Sequence, residues 1–392
     1  MYYIDYKGLK LSALGYGNMR LPQLSSGEID EPLANQLIEK AYNNGVNYFD
    51  TAFAYHNGQS EIFIGKSLSR FPRDTWFLAS KFPGYEKRDV WKPAEVFEEQ
   101  LKKCQVDYFD FYLLHNVYES NIVTYLDQKW DIVGYLLSQK KAGRIRHLGF
   151  STHAALSTLD FFLQKYASQM EFGQLQLNAL DYSLQNSKAK FELISSKNIP
   201  VWVMEPLRGG KLASFSSEQN ARLKAFRPEE SIAAWAFRWL ETLSPLGVVL
   251  SGMSAMNQVD DNLKTFAQKN PLSPLENAAY EEIVASLTNS IPCTHCRYCL
   301  QGCPQGLDIP SLLELLNDFR VEPSPVASMA VDAMRPSKRP SACIQCGNCV
   351  EVCPQGIDIP VVFKEFQGML DKMTRFIAPM EEDDSRLFHR PD

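Results

Sequence analysis

The sequence predicts an α/β fold in which a (β/α)8 barrel is followed by a small cysteine-rich domain. Eight short apolar segments alternate with helical patterns over about 255 residues, the size of a closed (β/α)8 barrel. Eight of the nine cysteines fall in two runs beyond the last strand–helix pair. The predicted domains are therefore the barrel at residues 1–270, a linker at 271–290 and the cysteine-rich domain at 291–392.

The elements of the predicted barrel follow in order along the chain. A hairpin over residues 1–12, turning at Lys7-Gly8, precedes the first strand. Strands are predicted at residues 13–17, 46–49, 76–80, 109–114, 147–150, 172–177, 200–204 and 248–250. Helices are predicted at residues 34–42, from 60, and at 93–104, 130–142, 155–166, 188–197, 232–243 and 257–267.

A doubly wound open sheet is the alternative architecture. Open sheets that bind dinucleotides carry G-x-G-x-x-G after the first strand. Here Gly15-Tyr-Gly17 is followed by Asn-Met-Arg, which does not match that motif. The sequence therefore favours the closed, TIM-type barrel.

The two cysteine runs share one spacing. They are Cys293-x-x-Cys296-x-x-Cys299-x-x-x-Cys303-Pro and Cys343-x-x-Cys346-x-x-Cys349-x-x-x-Cys353-Pro. This spacing is typical of 4Fe–4S clusters, in which one loop supplies three thiolates and the cysteine before proline binds the other cluster. By that rule, Cys293, Cys296, Cys299 and Cys353 hold one cluster, and Cys343, Cys346, Cys349 and Cys303 hold the second.

Zinc and disulfide bonds are the alternatives for these cysteines. Structural zinc sites usually pair two C-x-x-C knuckles across a longer gap, so the third cysteine and the Cys-Pro pair favour a cluster. Nothing marks secretion, and such short loops suit metal better than disulfides. Residues 303–310 also recur as residues 353–360, each copy followed by a helical pattern. Over about residues 291–375 the sequence resembles bacterial-type ferredoxins with two 4Fe–4S clusters.

Composition is typical of a soluble globular protein, with 45% hydrophobic and 22% charged residues. With a net charge of −6, the chain lacks the excess of basic residues that is typical of proteins that bind nucleic acid or an anionic membrane. The N-terminus lacks an apolar signal core, and no run is long enough to span a bilayer. We therefore expect a cytoplasmic location and no nucleic-acid or membrane partner. The ninth cysteine, Cys104, is expected in a helix as a core residue.

Four polar side chains stand near the ends of neighbouring predicted strands. Asp50 closes the second strand, Tyr55 follows in the loop, Lys81 closes the third and His115 closes the fourth. Each has an ordinary structural explanation when taken alone, such as a loop cap or a hydrogen-bonded core histidine. Because barrel active sites lie where strands end, we expect the four to converge on one mouth.

Across about residues 1–270 the sequence resembles the aldo-keto reductases. The matching stretches are Phe49-Asp-Thr-Ala-Phe-Ala-Tyr55, Gly58-Gln-Ser-Glu61, Ala79-Ser-Lys81 and Tyr112-Leu-Leu-His115. The resemblance implies reduction of a carbonyl with hydride from a nicotinamide cofactor. It makes Tyr55 the general acid, and Lys81 the ammonium that lowers the pKa of a neighbouring phenol. Asp50 would keep Lys81 protonated, and His115 would hydrogen-bond the carbonyl.

The same resemblance places the cofactor over the later strand ends. Ser151 and Gln176 would hold the carboxamide, with Asn178 nearby, and Leu207, Gly209 and Gly210 would wrap the pyrophosphate. The stretch from Gly252 to Asn262 resembles the adenosine-binding segment, and in it Gln258, Asp261 and Asn262 match family positions.

The sequence departs from the family pattern at several of these positions. Thr152 replaces the usual Asn, and Met204 stands where an aromatic ring stacks on the nicotinamide. Gly252 and Gln258 replace basic residues that often bind the ribose 2′-phosphate, and such a phosphate loses charge-assisted bonds without a cation. NADP(H) is the family default and NAD(H) is the alternative, with Lys211 or Arg208 as substitute cations.

The expected function is NAD(P)H-dependent interconversion of a small-molecule carbonyl and its alcohol. Hydride carries two electrons whereas a cluster accepts one, so coupling them normally requires a flavin or another converter. Three roles for the clusters stay open: bracing the C-terminal domain, exchanging electrons with the active site or a redox partner protein, or sensing oxygen or iron. The alternative function is an iron–sulfur electron carrier whose barrel binds a cofactor or regulates a partner oxidoreductase.

Overall fold

Ten strands are present in the computed structural model, which describes residues 1–84, 91–118, 121–289, 291–321, 331 and 334–374. They are β1 (Tyr3–Tyr6), β2 (Leu9–Ser12), β3 (Leu14–Gly17), β4 (Tyr48–Asp50), β5 (Phe77–Phe82), β6 (Phe109–Val117), β7 (Ile145–Thr152), β8 (Gly173–Gln176), β9 (Val201–Met204) and β10 (Leu246–Ser251). Strands β3 to β10 pair in parallel in chain order, and β10 pairs with β3 to close the ring. The predicted (β/α)8 barrel is confirmed, and the open sheet is wrong.

Helices follow the barrel strands as the sequence predicts. They are α1 (Glu31–Asn43), α2 (Gln59–Leu68), α3 (Pro93–Cys104), α4 (Ile122–Leu126), α5 (Ile132–Lys141), α6 (Leu156–Tyr166), α7 (Asp181–Leu184), α8 (Ser187–Ser196), α9 (Ser217–Phe226), α10 (Ile232–Leu240), α11 (Met256–Thr265) and α12 (Pro274–Ala285). Their apolar faces form one buried core with the outer side chains of the strands. The chain forms two compact units, Met1–Thr288 and Asn289–Asp392, and α12 belongs to the first.

Five barrel strands end later than the sequence predicts: β4 ends at Asp50, β7 at Thr152 and β10 at Ser251, and β5 and β6 are also longer. Strand β5 runs to Phe82 and β6 to Val117, so Lys81 and His115 lie within strands rather than at their last residues. Parallel pairing continues there, since Lys81 pairs with Leu113 and Val117 with Thr152. A polar residue after an apolar run predicts a strand end, but a barrel mouth accommodates polar side chains on a strand that continues.

The N-terminal hairpin closes the end of the barrel where the strands begin. Tyr6 of β1 packs edge-on against Trp202 with ring centroids 5.0 Å apart. Its hydroxyl donates to the carbonyl of Glu171, just before β8, at 3.0 Å. Ser12 and Asn47, which precedes β4, exchange two hydrogen bonds of 2.7 and 3.0 Å. The opposite end, where the strands finish, is the end that carries the candidate site.

The second unit repeats one arrangement twice. Each cysteine loop leads into a single-turn helix and then a longer one: α13 (Tyr298–Gln301) and α14 (Ile309–Val321), then α15 (Asn348–Glu351) and α16 (Ile359–Thr374). The long helices share a core in which Phe319 and Phe366 contact with ring centroids 6.2 Å apart. Among the described residues, no helix combines the length and the apolar character needed to cross a membrane.

Candidate functional site

Asp50 and Lys81 form a buried ion pair at the barrel mouth. Lys81 Nζ lies 2.5 Å from Asp50 Oδ1 and 2.7 Å from the carbonyl oxygen of Thr51. The Asp50 side chain is 5% exposed and the Lys81 side chain is 1% exposed. Gln174 Nε2 donates to the second Asp50 oxygen at 3.4 Å, and Asn18 binds the Asp50 carbonyl at 2.8 Å. These contacts hold the carboxylate and the ammonium in one geometry.

Tyr55 and His115 lie beside this ion pair. The two rings meet edge to face with centroids 5.9 Å apart, and Lys81 Nζ lies 5.0 Å from the Tyr55 ring centroid. His56 and Asn57, which follow Tyr55, have left-handed backbone angles with φ of 51° and 55°. Such conformations cost energy and persist only when surrounding structure holds them. The structure therefore brings together all four residues that the sequence predicts as catalytic.

Burial is the largest influence on ionisation at this site. It lowers the pKa of Lys81 and raises the pKa of Asp50, while the charge of each partner opposes the shift of the other. Burial, followed by the charges of Lys81 and His153, lowers the pKa of His115 well below its ordinary value. The His115 imidazole is therefore neutral near pH 7 and offers one N–H donor.

A second buried carboxyl group, Glu61, lies behind Lys81. Its Oε1 accepts hydrogen bonds from Ser80 Oγ and Gln100 Nε2, both at 2.6 Å. Gln100 Nε2 also donates to the Lys81 carbonyl at 3.0 Å. Burial raises the pKa of Glu61 to about 7, although these hydrogen bonds and Lys103 oppose the shift. The sequence analysis quoted Glu61 in a motif but gave it no role, because its partner Gln100 comes from a distant helix.

Two of the three carboxamide-binding candidates, Gln176 and Asn178, contact Asp181. Gln176 Nε2 and Asn178 Nδ2 donate to Asp181 Oδ2 at 2.7 Å each, and Arg208 Nε donates to Oδ1 at 2.9 Å. The Asp181 and Arg208 side chains are both 0% exposed, so the charge of Arg208 is already balanced. On the neighbouring strand, Ser151 Oγ accepts the backbone N–H of Asn116 at 2.8 Å. Asp181 was missed by sequence reasoning, which had no pattern to pair it with Gln176.

Arg20 connects the two loops expected to bind the nucleotide. Its Nη2 lies 3.1 Å from Glu205 Oε1, and Glu205 Oε2 accepts the N–H of Gly209 at 2.8 Å. A Cβ atom at Gly252 would lie 2.9 Å from Arg20 Cβ, so glycine leaves room for this side chain. Sequence reasoning missed Arg20, although closing the barrel places the loop after β3 beside the loop after β10.

The remaining cofactor candidates lie in two loops. Leu207, Gly209 and Gly210 follow β9, and both glycines have left-handed φ values of 67° and 98°. In α11 the candidate side chains make internal contacts. Gln258 Oε1 accepts the Ser254 N–H at 2.7 Å, Asp261 accepts the Ser231 hydroxyl at 2.6 Å, and Asn262 donates to Ser251 Oγ at 2.9 Å. These bonds fix α11 against β10 and α10.

The eight cysteines of the two runs line two cavities, four in each. One is lined by Cys293, Cys296, Cys299 and Cys353. The other is lined by Cys303, Cys343, Cys346 and Cys349. None of these eight described cysteines is in a disulfide bond, and among the described residues no three His, Cys, Asp or Glu side chains are grouped to hold a single ion. Four thiols around a space, with the fourth from the other run, fit a cubane cluster.

This fold and site define an NAD(P)-dependent oxidoreductase built on a parallel barrel and joined to an iron–sulfur domain. The model of the aldo/keto reductase family matches residues 13–285, and that of the 4Fe-4S dicluster domain matches residues 292–357. The chain belongs to the aldo/keto reductase family.

Curated relatives are similar to this chain at modest identity. The chain is 24% identical over 303 residues to the NADH-specific methylglyoxal reductase of Escherichia coli, covering 65% of this chain and 90% of the relative. It is 24% identical over 300 residues to L-galactose dehydrogenase of Arabidopsis thaliana, covering 71% and 92%. Shorter matches span 42% to 53% of other relatives. A solved aldo-keto reductase of Bacillus halodurans, in its holo form, shares the fold with TM-score 0.57 and 23% identity, covering 72% of this chain and 96% of that one.

Proposed function

We propose that the protein interconverts a small-molecule carbonyl and its alcohol, with Tyr55 as the general acid and base. The observation that carries this proposal is the convergence of Tyr55, His115 and the Asp50–Lys81 ion pair at one end of the barrel. A phenol, an ammonium and a neutral imidazole in one buried site can place a proton on a carbonyl oxygen.

Each of the four residues has a distinct part in this proposal. Tyr55 gives its proton to the carbonyl oxygen in reduction and takes it back in oxidation. The Lys81 charge, held by Asp50, favours the phenolate that remains. The neutral His115 donates a hydrogen bond that orients the carbonyl. The nicotinamide cofactor, when bound, supplies or accepts the hydride.

Cofactor binding is assigned to the strand ends after β7 to β10. Ser151, Gln176 and Asn178 would hold the carboxamide, the loop with Leu207, Gly209 and Gly210 would cover the pyrophosphate, and Gly252, Gln258, Asp261 and Asn262 would border the adenosine. Arg20 contacts Glu205 before one of these loops and Gly252 at the start of the other. NADPH is the family default, but the missing cations at positions 252 and 258 support NADH, the cofactor of the E. coli relative. Binding titrations with NADPH and NADH decide between them.

The C-terminal unit would hold two 4Fe–4S clusters, one in each cysteine-lined cavity. Two lines of evidence support two clusters. Each cavity is lined by three cysteines of one run and one cysteine of the other run, and the region matches a dicluster domain. Cysteines kept as thiols rather than disulfides are typical of a reducing compartment, which supports a cytoplasmic location. Iron and sulfide analysis of anaerobically purified protein tests the proposal, with roughly eight iron atoms expected per chain.

The decisive experiment for the catalytic proposal is Tyr55→Phe, which removes only the acidic hydroxyl. We expect kcat to fall roughly 10²- to 10⁴-fold while cofactor affinity stays unchanged. Substrates would come from an anaerobic panel of aldehydes, ketones, sugars and steroids. Tyr135→Phe, on the outer helix α5, is the matched control and should retain activity. Undiminished carbonyl reduction by Tyr55→Phe would overturn the proposal.

The alternative is an electron carrier in which the barrel serves a partner oxidoreductase. In that case NADPH or NADH alone would bleach the visible absorption of the clusters under anaerobic conditions. Equal turnover with the clusters oxidised or reduced, and no bleaching, would exclude electron flow through them and leave carbonyl chemistry as the function.

A further inference from the structure

The two cysteine loops share a backbone but differ in charge. The residues before and after the second cysteine are left-handed in both copies: His295 and Arg297 have φ of 56° and 65°, and Gln345 and Gly347 have φ of 58° and 80°. Arg297 and Gly347 each precede the single-turn helix of their loop. The first copy therefore carries arginine where the second carries glycine.

Arginine is costly at this backbone position. A left-handed conformation is unfavourable for a residue with a Cβ atom, whereas glycine adopts it freely. Gly347 shows that the loop geometry needs no side chain here. Since glycine would fit position 297 without strain, the presence of arginine there indicates a function for its side chain.

Arg297 also distinguishes the two cavities. It lines the cavity formed by Cys293, Cys296, Cys299 and Cys353. The described lining of the other cavity contains no charged residue, and Gly347 stands in the equivalent place. The cysteines around Arg297 are the more buried set. Cys293, Cys299 and Cys353 are 8%, 8% and 7% exposed, whereas in the other set Cys346 is exposed.

We propose that Arg297 raises the reduction potential of the cluster held by Cys293, Cys296, Cys299 and Cys353, and so offsets the burial of that site. Reduction adds one electron to a cluster that already carries net negative charge with its four thiolates. Burial disfavours the added charge, and a nearby cation stabilises it. Because Ile359 lines both cavities, the two sites are neighbours, and similar potentials would let either cluster hold the electron. The inference rests on the proposed two-cluster content.

The experiment is an anaerobic redox titration of the full-length protein, followed by electron paramagnetic resonance. Arg297→Gly copies the second loop, so its backbone should be tolerated. We expect one midpoint potential to become more negative while the other stays unchanged, which widens the gap between the clusters. Arg297→Lys keeps the positive charge and should restore the wild-type midpoint.

Gly347→Arg is the mirror variant and should move the midpoint of the other cluster to a more positive value. Iron analysis of the wild type and of each variant distinguishes a failure of the two-cluster proposal from a failure of the role proposed for Arg297. Fewer than roughly eight iron atoms in the wild type would overturn the two-cluster content. With full iron content, unchanged midpoints in Arg297→Gly would overturn the role of Arg297 alone. Arg297→Gln, which also removes the charge, repeats that test with a longer side chain.

Discussion

Arg20 and Glu205 form an ion pair with 3.1 Å between Nη2 and Oε1, although they are 185 residues apart. The pair joins the loop after β3 to the loop after β9. The Cβ, Cγ and Cδ atoms of Arg20 lie against Gly252, so this one side chain borders both loops assigned to the nucleotide. A cation in this position can serve the cofactor phosphates in place of the basic residues that positions 252 and 258 lack.

Replacing Arg20 with glutamine should therefore weaken cofactor binding. A lost charge-assisted hydrogen bond is worth roughly 1.5–3 kcal/mol, which corresponds to about a tenfold to hundredfold rise in Kd. Equal losses for NADPH and NADH would indicate a contact with the shared pyrophosphate. A loss for NADPH alone would indicate the 2′-phosphate. Arg222→Gln, in an exposed pair with Glu282, is the control, and an unchanged Kd in Arg20→Gln would refute the assignment.

Asp50→Asn should shift the pH dependence of catalysis. Burial lowers the pKa of Lys81, and Asp50 is the largest influence that opposes this. Without the carboxylate, Lys81 loses its proton at a lower pH, so the alkaline limb of the kcat/KM profile should move towards lower pH. Asp260→Asn, in an exposed pair with Lys40, should leave the profile unchanged. An alkaline limb that stays in place would show that Lys81 ionisation does not limit the reaction.

Glu61 should make barrel stability depend on pH. Its pKa rises from 4.5 to about 7 in the folded state. Between these values the folded protein keeps a proton that the unfolded chain has released, so the free energy of unfolding falls as pH rises. At roughly 1.4 kcal/mol per pH unit, the loss by pH 8 is about 3 kcal/mol relative to pH 4.5.

Comparison of wild type with Glu61→Gln isolates this contribution, since glutamine does not titrate. All six tryptophans lie in residues 76–239, so tryptophan fluorescence during denaturant unfolding reports on the barrel. The variant should gain stability relative to wild type as pH rises from 5 to 8. A stability difference that is the same at both pH values would contradict the buried, protonated carboxyl group.

Because each cavity combines cysteines of both runs, the structure predicts which second cysteine substitution removes further iron. Cys353→Ser should lower the iron content by about half, because one cluster loses a ligand. Adding Cys293→Ser should remove little more iron, since both belong to the same cavity, whereas adding Cys343→Ser should remove the remainder. Cys104→Ala, in the barrel core, should keep full iron content. The reverse pattern would show that each run binds its own cluster.

Much of the candidate site follows from the sequence because its residues lie close to the carboxyl ends of strands or in fixed cysteine spacings. The order of strands and helices predicts a barrel, and a barrel places Asp50, Lys81 and His115 on neighbouring strands. What could not be predicted are the partners that come from elsewhere in the chain. Gln100 beside Glu61, Asp181 beneath Gln176 and Arg20 beside Gly252 have no local pattern that marks them.

The sequence by itself determines the fold class, the two cysteine sets and the residues that converge at the barrel mouth, since periodicity and spacing are local properties of the chain. Tertiary structure decides burial and charge pairing. Closure of β10 on β3 places Arg20 beside Gly252 and Glu205, and burial governs the ionisation of Lys81, His115 and Glu61. These properties depend on which distant atoms exclude water from a group.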